Sequence, residues 1–383
     1  MKFRNAVAAT LLLGTTGCAL WPQDRLASCP TSRELPTVKT LENGRVGVDL
    51  SVLIYNVEGL PWPARHGRGS SLDRIGDVLA AMRARGEAPD VVLLQEAFTK
   101  RAARIGPRAG YANAAHGPGA GDIGKEASAS REFVRERRRK KGEVNFKLLG
   151  SGLYVLSDLP VQQVFRRGYA RYSCAGFDCL SAKGIMLARV TLPGAPTPID
   201  IATTHMNAGK ASGVSRERAL EAHGYQAIEA ADFLDRVRDL SNPFILGGDF
   251  NMRRNPERFD FFTTRHPYQI VHQRCLRAPD RCRVLMSWDG DEPWMDTQDL
   301  QAFESGSLIR VEPVQVQALF DGPDTGGKLS DHDGFMVTYR LSWPASASAI
   351  PNPCSAGVAA RGDRPAVAGS GTIVSTPQMG EQR

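Results

Sequence analysis

The amino-acid sequence predicts an α+β fold in which two mixed β-sheets pack face to face and helices flank them, giving a four-layer α/β sandwich. Short apolar runs rich in β-branched residues outnumber the amphipathic helical segments, and the two kinds follow one another in mixed order rather than in strict alternation. At 383 residues, 42% of them hydrophobic, the chain can also bury a full-sized core. Packed sheets with helices outside would cover the apolar face of every element.

Seven apolar runs are predicted as strands and two segments as helices. The longer helix, at 216–240, has Leu220, Ile228 and Phe233 on one stripe at helical spacing. The shorter helix is predicted at 72–84. The strands are predicted at 48–57, 90–94, 153–157, 184–191, 199–204, 243–247 and 334–341.

The first residues have the layout of a secretory signal. Lys2 and Arg4 precede an apolar stretch and small residues, which predicts a signal peptide at 1–17. The sequence LGTTGC, which ends at Cys18, resembles a bacterial lipobox, in which that cysteine would be lipid-modified after cleavage. Thr15 departs from the lipobox pattern, so ordinary secretion stays open. We therefore expect an exported protein, either a membrane-anchored lipoprotein of a bacterial envelope or a periplasmic or secreted protein.

Composition divides the rest of the chain into three parts. Proline-rich sequence with few apolar residues in register predicts a tether, and Ala-, Ser-, Pro- and Gly-rich sequence predicts a disordered tail. The expected boundaries are a tether at 18–47, a folded domain at 48–342 and a tail at 343–383.

The chain is basic, with a formal net charge of +7. A basic surface suits anionic partners such as nucleic acid or a lipid headgroup layer, and it selects neither. Residues 131–141 form a strongly basic run inside a Gly- and Ala-rich segment. A solvated loop and helix face is the favoured interpretation of this run, and contact with phosphates or an anionic surface is the alternative.

Seven cysteines suit an exported chain. With Cys18 assigned to lipid, six remain, and disulfides are plausible in an oxidising compartment. The pairing that local spacing suggests, although it does not fix the connectivity, is Cys174 with Cys179, Cys275 with Cys282, and Cys29 with Cys354. A zinc site is the competing interpretation, but no pair has the two-residue gap of finger-type sites.

Polar residues stand at the ends of five apolar strands. Taken singly, an Asn, Asp or His in such a place is usually a cap or a turn residue. Together they supply the oxygen ligands that a hard divalent cation needs and the side chains that move protons. The set consists of Asn56, Glu96, His205 with Asn207, Asp249 with Asn251, and Asp331 with His332.

The stretches that carry these residues resemble a family signature. In order, LIYNVEGL, VVLLQEAF, TTHMNAG, ILGGDFNMR and LSDHDGFMV resemble the motifs of the endonuclease/exonuclease/phosphatase (deoxyribonuclease-I-like) superfamily, from about residue 48 to 341. The resemblance implies that the domain at 48–342 is catalytic and that it hydrolyses a phosphodiester bond with a divalent metal. Mg²⁺ is the expected ion, and Mn²⁺ is possible because oxygen-rich sites accept both.

The resemblance also implies roles for the metal-binding residues. Glu96 is similar to the family's main Mg²⁺ ligand, and Asn56 would lie beside it as a ligand or as a holder of water. Asp331 stands where the family often has a second carboxylate near the metal.

Catalytic roles follow in the same way. His332 would be the general base or acid, paired with a carboxylate, and Asp249 would position or activate the attacking water. Asn251 would hold a phosphate oxygen, while His205 would stabilise charge on the phosphate with support from Asn207.

One family element departs from its usual form. Asp299 is the candidate for the carboxylate that orients the catalytic histidine, and Asp289 and Asp296 are near enough in sequence to compete.

The substrate is less constrained, because relatives cut DNA, RNA, phospholipids and inositol phosphates. Residues 178–186 resemble an element of the neutral sphingomyelinase branch, which favours a phospholipid such as sphingomyelin, cleaved as by a phospholipase C. Trp288 and Trp294 could enter a membrane interface. An exported nuclease acting on DNA or RNA is the alternative, and a non-catalytic surface binding protein is a third, weaker hypothesis.

Overall fold

A computed structural model describes residues 23–30, 35–42, 44–125, 128–285, 299–322 and 325–354. The predicted signal peptide, Cys18, both tryptophans of the predicted interfacial loop and the competing Asp289 and Asp296 lie outside these residues. No helix in the described part of the chain is long and apolar enough to cross a membrane.

The described residues form strands far more often than helices. The strands are β1 Lys39–Thr40, β2 Arg45–Asn56, β3 Val91–Gln95, β4 Asn113–His116, β5 Ile123–Gly124, β6 Tyr154–Ser157, β7 Val161–Ala170, β8 Gly184–Val190, β9 Ile199–His205, β10 Phe244–Asp249, β11 Gln269–Ile270, β12 Arg283–Leu285, β13 Asp299–Glu304, β14 Arg310–Leu319 and β15 Gly334–Pro344. The α-helices are α1 Gly69–Ala84, α2 Ile105–Ala109, α3 Arg131–Arg135, α4 Arg216–Val237, α5 Pro256–Arg265 and α6 Val271–Arg277.

The strands form two mixed sheets. The first has the order β12-β14-β15-β2-β3-β6-β4, with β1 added beside β2, and the second has the order β11-β13-β10-β9-β8-β7-β5. In the centre of the first sheet β2 and β3 run parallel, and in the centre of the second β9 and β10 do the same. The carboxyl ends of these parallel strands carry the predicted site residues.

Successive side chains of the central strands point to opposite faces of their sheet, so each strand contributes to two hydrophobic clusters. In β2, Val52 and Ile54 belong to the core between the sheets, whereas Leu53 and Tyr55 pack in the cluster that includes α1 and α2. The other sheet is covered by α4 and α5, which contribute Phe233 and other apolar residues to a third cluster. This arrangement confirms the predicted sandwich of two mixed sheets flanked by helices.

The two sheets approach closely where the site will form. A Cβ on Gly247 of β10 would lie 2.6 Å from Ile54 Cγ2 in the facing sheet, so only glycine fits at this separation. Gln95 Nε2 of β3 donates to Thr203 Oγ1 of β9 across the same space, at 3.1 Å. Gln301 makes a second polar link, donating to the backbone oxygens of Val52 and Phe335. These contacts fix the strand ends of one sheet relative to those of the other.

All seven predicted strands and both predicted helices are present, and none of their ends is shifted by more than three residues. β2 begins at Arg45 and β15 ends at Pro344, both slightly outside the expected domain limits. The three disulfides suggested by spacing are confirmed: Cys29–Cys354, Cys174–Cys179 and Cys275–Cys282.

Candidate active site

The predicted site residues meet at one edge of the sandwich. Asn56 is the last residue of β2, and Glu96 follows the last residue of β3, its parallel neighbour. In the other sheet Asp249 ends β10 opposite His205 of β9 on one side and Asp299 of β13 on the other. Because strand ends of both sheets stop at the same level, side chains distant in sequence come into one cluster.

Asp249 is the centre of this cluster. Its Oδ2 accepts a hydrogen bond from Asn56 Nδ2 at 3.0 Å and lies 3.4 Å from His205 Nε2 and 3.9 Å from His332 Nε2. Its Oδ1 accepts from the backbone N–H of Asn251 at 2.9 Å. Burial raises the pKa of Asp249, the negative charge of Asp299 adds to the rise, and the positive charge of His332 opposes it. A buried carboxylate with an elevated pKa can take up a proton near neutral pH.

His332 is paired with Asp299, as predicted for the orienting carboxylate. The distance from His332 Nδ1 to Asp299 Oδ2 is 2.6 Å, which leaves Nε2 directed at Asp249. Burial by itself lowers the pKa of His332, but the carboxylates of Asp299 and Asp249 outweigh it and raise the pKa well above its ordinary value. His332 is therefore a cation in this arrangement, held in one orientation by Asp299.

His205 has a different partner from the one its predicted role implies. Lys183 Nζ lies 2.9 Å from His205 Nε2, and the same Nζ donates to the backbone oxygen of Met206 and lies 3.1 Å from Asp178 Oδ2. Burial, together with the ammonium of Lys183, holds the pKa of His205 well below its ordinary value. The imidazole is thus neutral and accepts from the lysine, so the positive charge at this point of the site belongs to Lys183.

Lys183 is the one charged member of the site to which the sequence analysis gave no chemical role. Its signal was present in residues 178–186, which were interpreted as a marker of substrate class only. The lysine is buried at the start of β8, whose Ile185 pairs with Thr204 of β9, so the strand register brings it to His205. A lysine held there can meet a negatively charged oxygen.

Glu96 occupies a constrained backbone position. Its φ is +56°, a left-handed conformation that is uncommon for glutamate, and Gly59 packs against its backbone oxygen so closely that a Cβ would overlap it. Burial raises the pKa of Glu96, whereas Lys183, His332 and a hydrogen bond from Asn56 lower it. A carboxylate with this elevated pKa would be stabilised as an anion by a nearby cation.

The residues present fit a hard divalent cation. Glu96 and Asp249 are buried carboxylates whose pKa values burial raises, so a bound cation would stabilise their ionised forms. One ligand atom from each of Asp249, Asp299 and His332 lies within 4.8 Å of the others, so that triad could also hold a metal, but only with His332 deprotonated. Oxygen-dominated donors of this kind suit Mg²⁺ or Mn²⁺.

Asn56 serves the carboxylates with its amide hydrogens. Its Nδ2 donates to Asp249, while its Oδ1 accepts from the backbone N–H of Glu58 at 3.0 Å. The amide oxygen keeps a second lone pair, so this arrangement is compatible with both predicted roles of Asn56, as a metal ligand or as a holder of water.

Two further asparagines differ in position. Asn251, at φ +53°, lies beside Asp249 and donates from Nδ2 to the Met206 oxygen at 3.1 Å. Asn207 is fully buried, and its side chain accepts from the Ala175 N–H and donates to the Ala208 oxygen. Asn207 therefore holds the loop after β9 through backbone contacts, and its support of His205 is indirect.

Asp331 lies at the rim. Its side chain is 52% exposed and forms an ion pair with Arg65, 3.4 Å away, which in turn binds Glu58. Asp331 is near enough to Glu96 to contribute to the rise of that residue's pKa. The structure thus puts it at the mouth of the site rather than among the buried carboxylates.

A family model described as the endonuclease/exonuclease/phosphatase family matches residues 53–332. The matched range includes every predicted site residue. A sequence comparison with curated proteins gave no match.

Solved structures show the same fold at low sequence identity. A mutant beta toxin from Staphylococcus aureus, crystallised with bound magnesium ions, has a TM-score of 0.53 and 14% identity, covering 76% of this chain and 99% of that chain. Sphingomyelinase C from Streptomyces griseocarneus has a TM-score of 0.51 and 16% identity, covering 76% of this chain and 99% of that chain.

Proposed function

The chain belongs to the endonuclease/exonuclease/phosphatase family, since the family model matches residues 53–332, and on this premise we propose that it hydrolyses a phosphodiester bond with the help of a divalent metal ion. The observation that carries the proposal is the convergence of Asn56, His205 and His332 on one oxygen of buried Asp249. A binding module has no need for a buried carboxylate of raised pKa beside a cationic histidine.

His332 and Asp249 would act on the same side of the phosphorus. Their Nε2 and Oδ2 atoms are 3.9 Å apart, so one water molecule can contact both. We propose that they hold the attacking water and that Asp249 accepts its proton as the water oxygen bonds to phosphorus. The bond from phosphorus to the alcohol oxygen then breaks on the opposite face. Asp299 keeps His332 oriented throughout.

Charge on the phosphate would be met by Lys183 and by Asn251. When bound, Mg²⁺ or Mn²⁺ supplies positive charge that offsets the charge on the phosphate and departing oxygens. Glu96 is the residue proposed to hold the ion, and Asn56 supports that carboxylate.

A phospholipid of the sphingomyelin type is the proposed substrate. Lys183 belongs to the stretch at 178–186 that resembles the neutral sphingomyelinase branch, and its contact with His205 gives that stretch a position in the site. The similar fold of a protein described as sphingomyelinase C is compatible with this choice. The nuclease alternative is favoured by one observation, the exposed basic residues of the 131–141 run.

We further propose that the protein is exported, as an envelope lipoprotein if Cys18 is acylated. Three disulfides support an oxidising compartment. Mass spectrometry of the protein from its native host would test the anchor, because acylation adds a defined mass to the N-terminal peptide.

The deciding experiment assays the purified protein with Mg²⁺ or with EDTA on sphingomyelin vesicles and on duplex DNA side by side. Metal-dependent release of phosphocholine, with DNA intact, would support the lipid substrate. Metal-dependent nicking, with lipid intact, would support the nuclease, and inactivity on both would favour another phosphoester or a binding role. His332→Ala should abolish turnover while the circular dichroism spectrum stays unchanged; surviving activity would contradict the role of His332.

A further inference from the structure

Three large exposed apolar side chains belong to two segments that are joined by a backbone hydrogen bond beside the site. Phe146 and Leu148 are each 59% exposed, and Phe177 is 49% exposed. The backbone N–H of Leu148 donates to the Leu180 oxygen at 2.7 Å, which joins the segment of Phe146 and Leu148 to the 3-10 helix Gly176–Leu180 that carries Phe177. We call Phe146, Leu148 and Phe177 the apolar face.

The segment that carries the apolar face is anchored on both sides. Asn145 Oδ1 accepts from Arg137 and from Tyr172 OH, at 3.0 and 3.1 Å. Lys147, between the two exposed residues, turns inward and its Nζ lies 3.4 Å from Cys174 Sγ. Phe146 is therefore exposed on a segment that several contacts hold in place. Exposure of its apolar side chain to water is unfavourable, and binding to a partner that buries the side chain would remove this cost.

A basic rim borders this face. The run at 131–141 contains seven basic and two acidic residues. Lys141 Nζ lies 5.8 Å from the centroid of the Phe177 ring, so the end of the run touches the apolar face directly. The exposed basic members of this rim are Arg131, Arg135, Arg138, Arg139, Lys140 and Lys141.

The apolar face is also continuous with the site. Phe177 is followed by Asp178, whose Oδ2 lies 3.1 Å from Lys183 Nζ, and that Nζ reaches His205. A surface that docked against Phe177 would therefore lie next to the mouth of the candidate active site.

We propose that the apolar face and its basic rim dock the protein onto an anionic phospholipid bilayer. Apolar side chains entering the interface, with Lys and Arg beside them at the level of the phosphates, is the pattern of interfacial binding. Bases of single-stranded nucleic acid could stack on Phe146 and Phe177 but not on aliphatic Leu148, whereas a lipid interface accounts for all three apolar side chains. The basic run thus acquires a role that the sequence analysis held open but did not favour.

Binding to vesicles tests this surface without reference to catalysis. The protein would be residues 18–383 with Cys18→Ser, the form that signal cleavage would leave without an acyl chain. Sedimentation would be measured with phosphatidylcholine vesicles that contain or lack phosphatidylglycerol. We expect tighter binding to the anionic vesicles. Phe146→Ser with Leu148→Ser should lower the partition coefficient at least about tenfold. Lys140→Glu with Lys141→Glu should lower it roughly twentyfold.

The matched control is Leu240→Ser with Leu308→Ser, which removes two exposed leucines at the far edge of the sandwich. It should bind like the parent, and all three surface variants, the Phe146/Leu148 pair, the Lys140/Lys141 pair and the control, should keep their activity on a soluble phosphodiester. Equal vesicle binding by the control and the Phe146/Leu148 pair would overturn the proposal. So would a Lys140/Lys141 pair that loses binding to an oligonucleotide but not to vesicles. His332→Ala should bind vesicles normally, so failure of the proposed reaction and failure of this surface are distinguishable.

Discussion

The two edges of the sandwich each contain a buried aspartate, and the contacts that surround the two carboxylates differ. At the edge where β2, β3, β9 and β10 begin, Asp200 accepts two hydrogen bonds from Arg189, at 2.7 and 2.9 Å, and one from Asn242. At the edge where the same strands end, Asp249 touches an amide and two imidazoles, and burial raises its pKa. Both side chains are fully buried aspartates at the ends of central strands.

The two aspartates differ in how their negative charge is compensated, which suits Asp200 to a structural role and Asp249 to a catalytic one. Asp200 has a cation in bidentate geometry, so its charge is compensated within the fold. Among the described residues Asp249 has no arginine or lysine in direct contact, so its buried negative charge is unfavourable until a metal ion, a proton or a bound substrate compensates it. Proteins keep such costs at functional sites and compensate for them elsewhere. The comparison predicts that substitutions at the site edge reduce activity and that substitutions at the opposite edge reduce stability.

The largest expected effect comes from Asp249→Asn. The amide cannot accept the proton of the attacking water, so kcat/KM should fall by roughly 10²- to 10⁴-fold. Because a neutral group replaces a poorly compensated buried anion, the free energy of unfolding should stay within about 1 kcal/mol of the parent. Steady-state assays and urea denaturation measure the two quantities. A variant that is active but much less stable would reverse the comparison.

The counterpart is Asp200→Asn. It leaves Arg189 without its carboxylate in a mostly buried pair, and the free energy of unfolding should fall by about 3–5 kcal/mol. The activity of the folded fraction should be close to that of the parent, because Asp200 lies at the other end of the strand that carries His205. Loss of activity in fully folded protein would show that the edges are coupled.

How far the sequence could predict the molecule also depends on the region. Asn56, Glu96, His205 and Asp249 were recognisable because each sits in a short motif at the end of an apolar run, and such local patterns survive without tertiary information. The fold followed from the same runs. β14 was missed because it contains Pro313, which argues against a strand, and the structure accommodates this proline at an irregularity in the pairing with β15.

Protonation could not be predicted in this way. The pKa of His205 is lowered by burial and by Lys183, 22 residues away in sequence, and the pKa of His332 is raised by Asp299, 33 residues away. Those partners meet only through strand register and burial, which no spacing rule contains. Asp331 was predicted as a second carboxylate near the metal, and its ion pair with Arg65, which lies 266 residues earlier in the chain, has no local signal in the sequence.

Stability at acid pH sharpens the comparison, because it should depend on histidines outside the site. Burial lowers the pKa of His223 and His272 to about 3 and that of His266 to about 4. In the unfolded chain these imidazoles take up protons near pH 6.5, whereas in the folded protein they stay neutral to lower pH. Their contribution to the free energy of unfolding is therefore fully present above pH 6.5 and is lost as the pH falls towards 4.

His272→Phe isolates one of these groups. His272 packs against the ring of Phe335, and neither of its nitrogens has a hydrogen-bond partner among the described residues. The substitution should remove about 1 kcal/mol of the stability lost between pH 7 and pH 5.5. Denaturation at both pH values, parent against variant, gives this difference. An unchanged loss would show that other groups titrate on unfolding.

The smallest effect expected at the site edge is that of Asp331→Asn, which tests whether Asp331 contributes to metal binding. A ligand to the metal should raise the Mg²⁺ concentration for half-maximal activity when its charge is removed, and for Glu96→Gln we expect a rise of more than about tenfold. Asp331 is half exposed and already paired with Arg65, so its charge is screened by solvent and partly compensated. We expect a rise of less than about threefold in titrations of activity with Mg²⁺. A rise equal to that of Glu96→Gln would mean that the loop closes over the metal and brings Asp331 into the buried cluster, as the family resemblance implied.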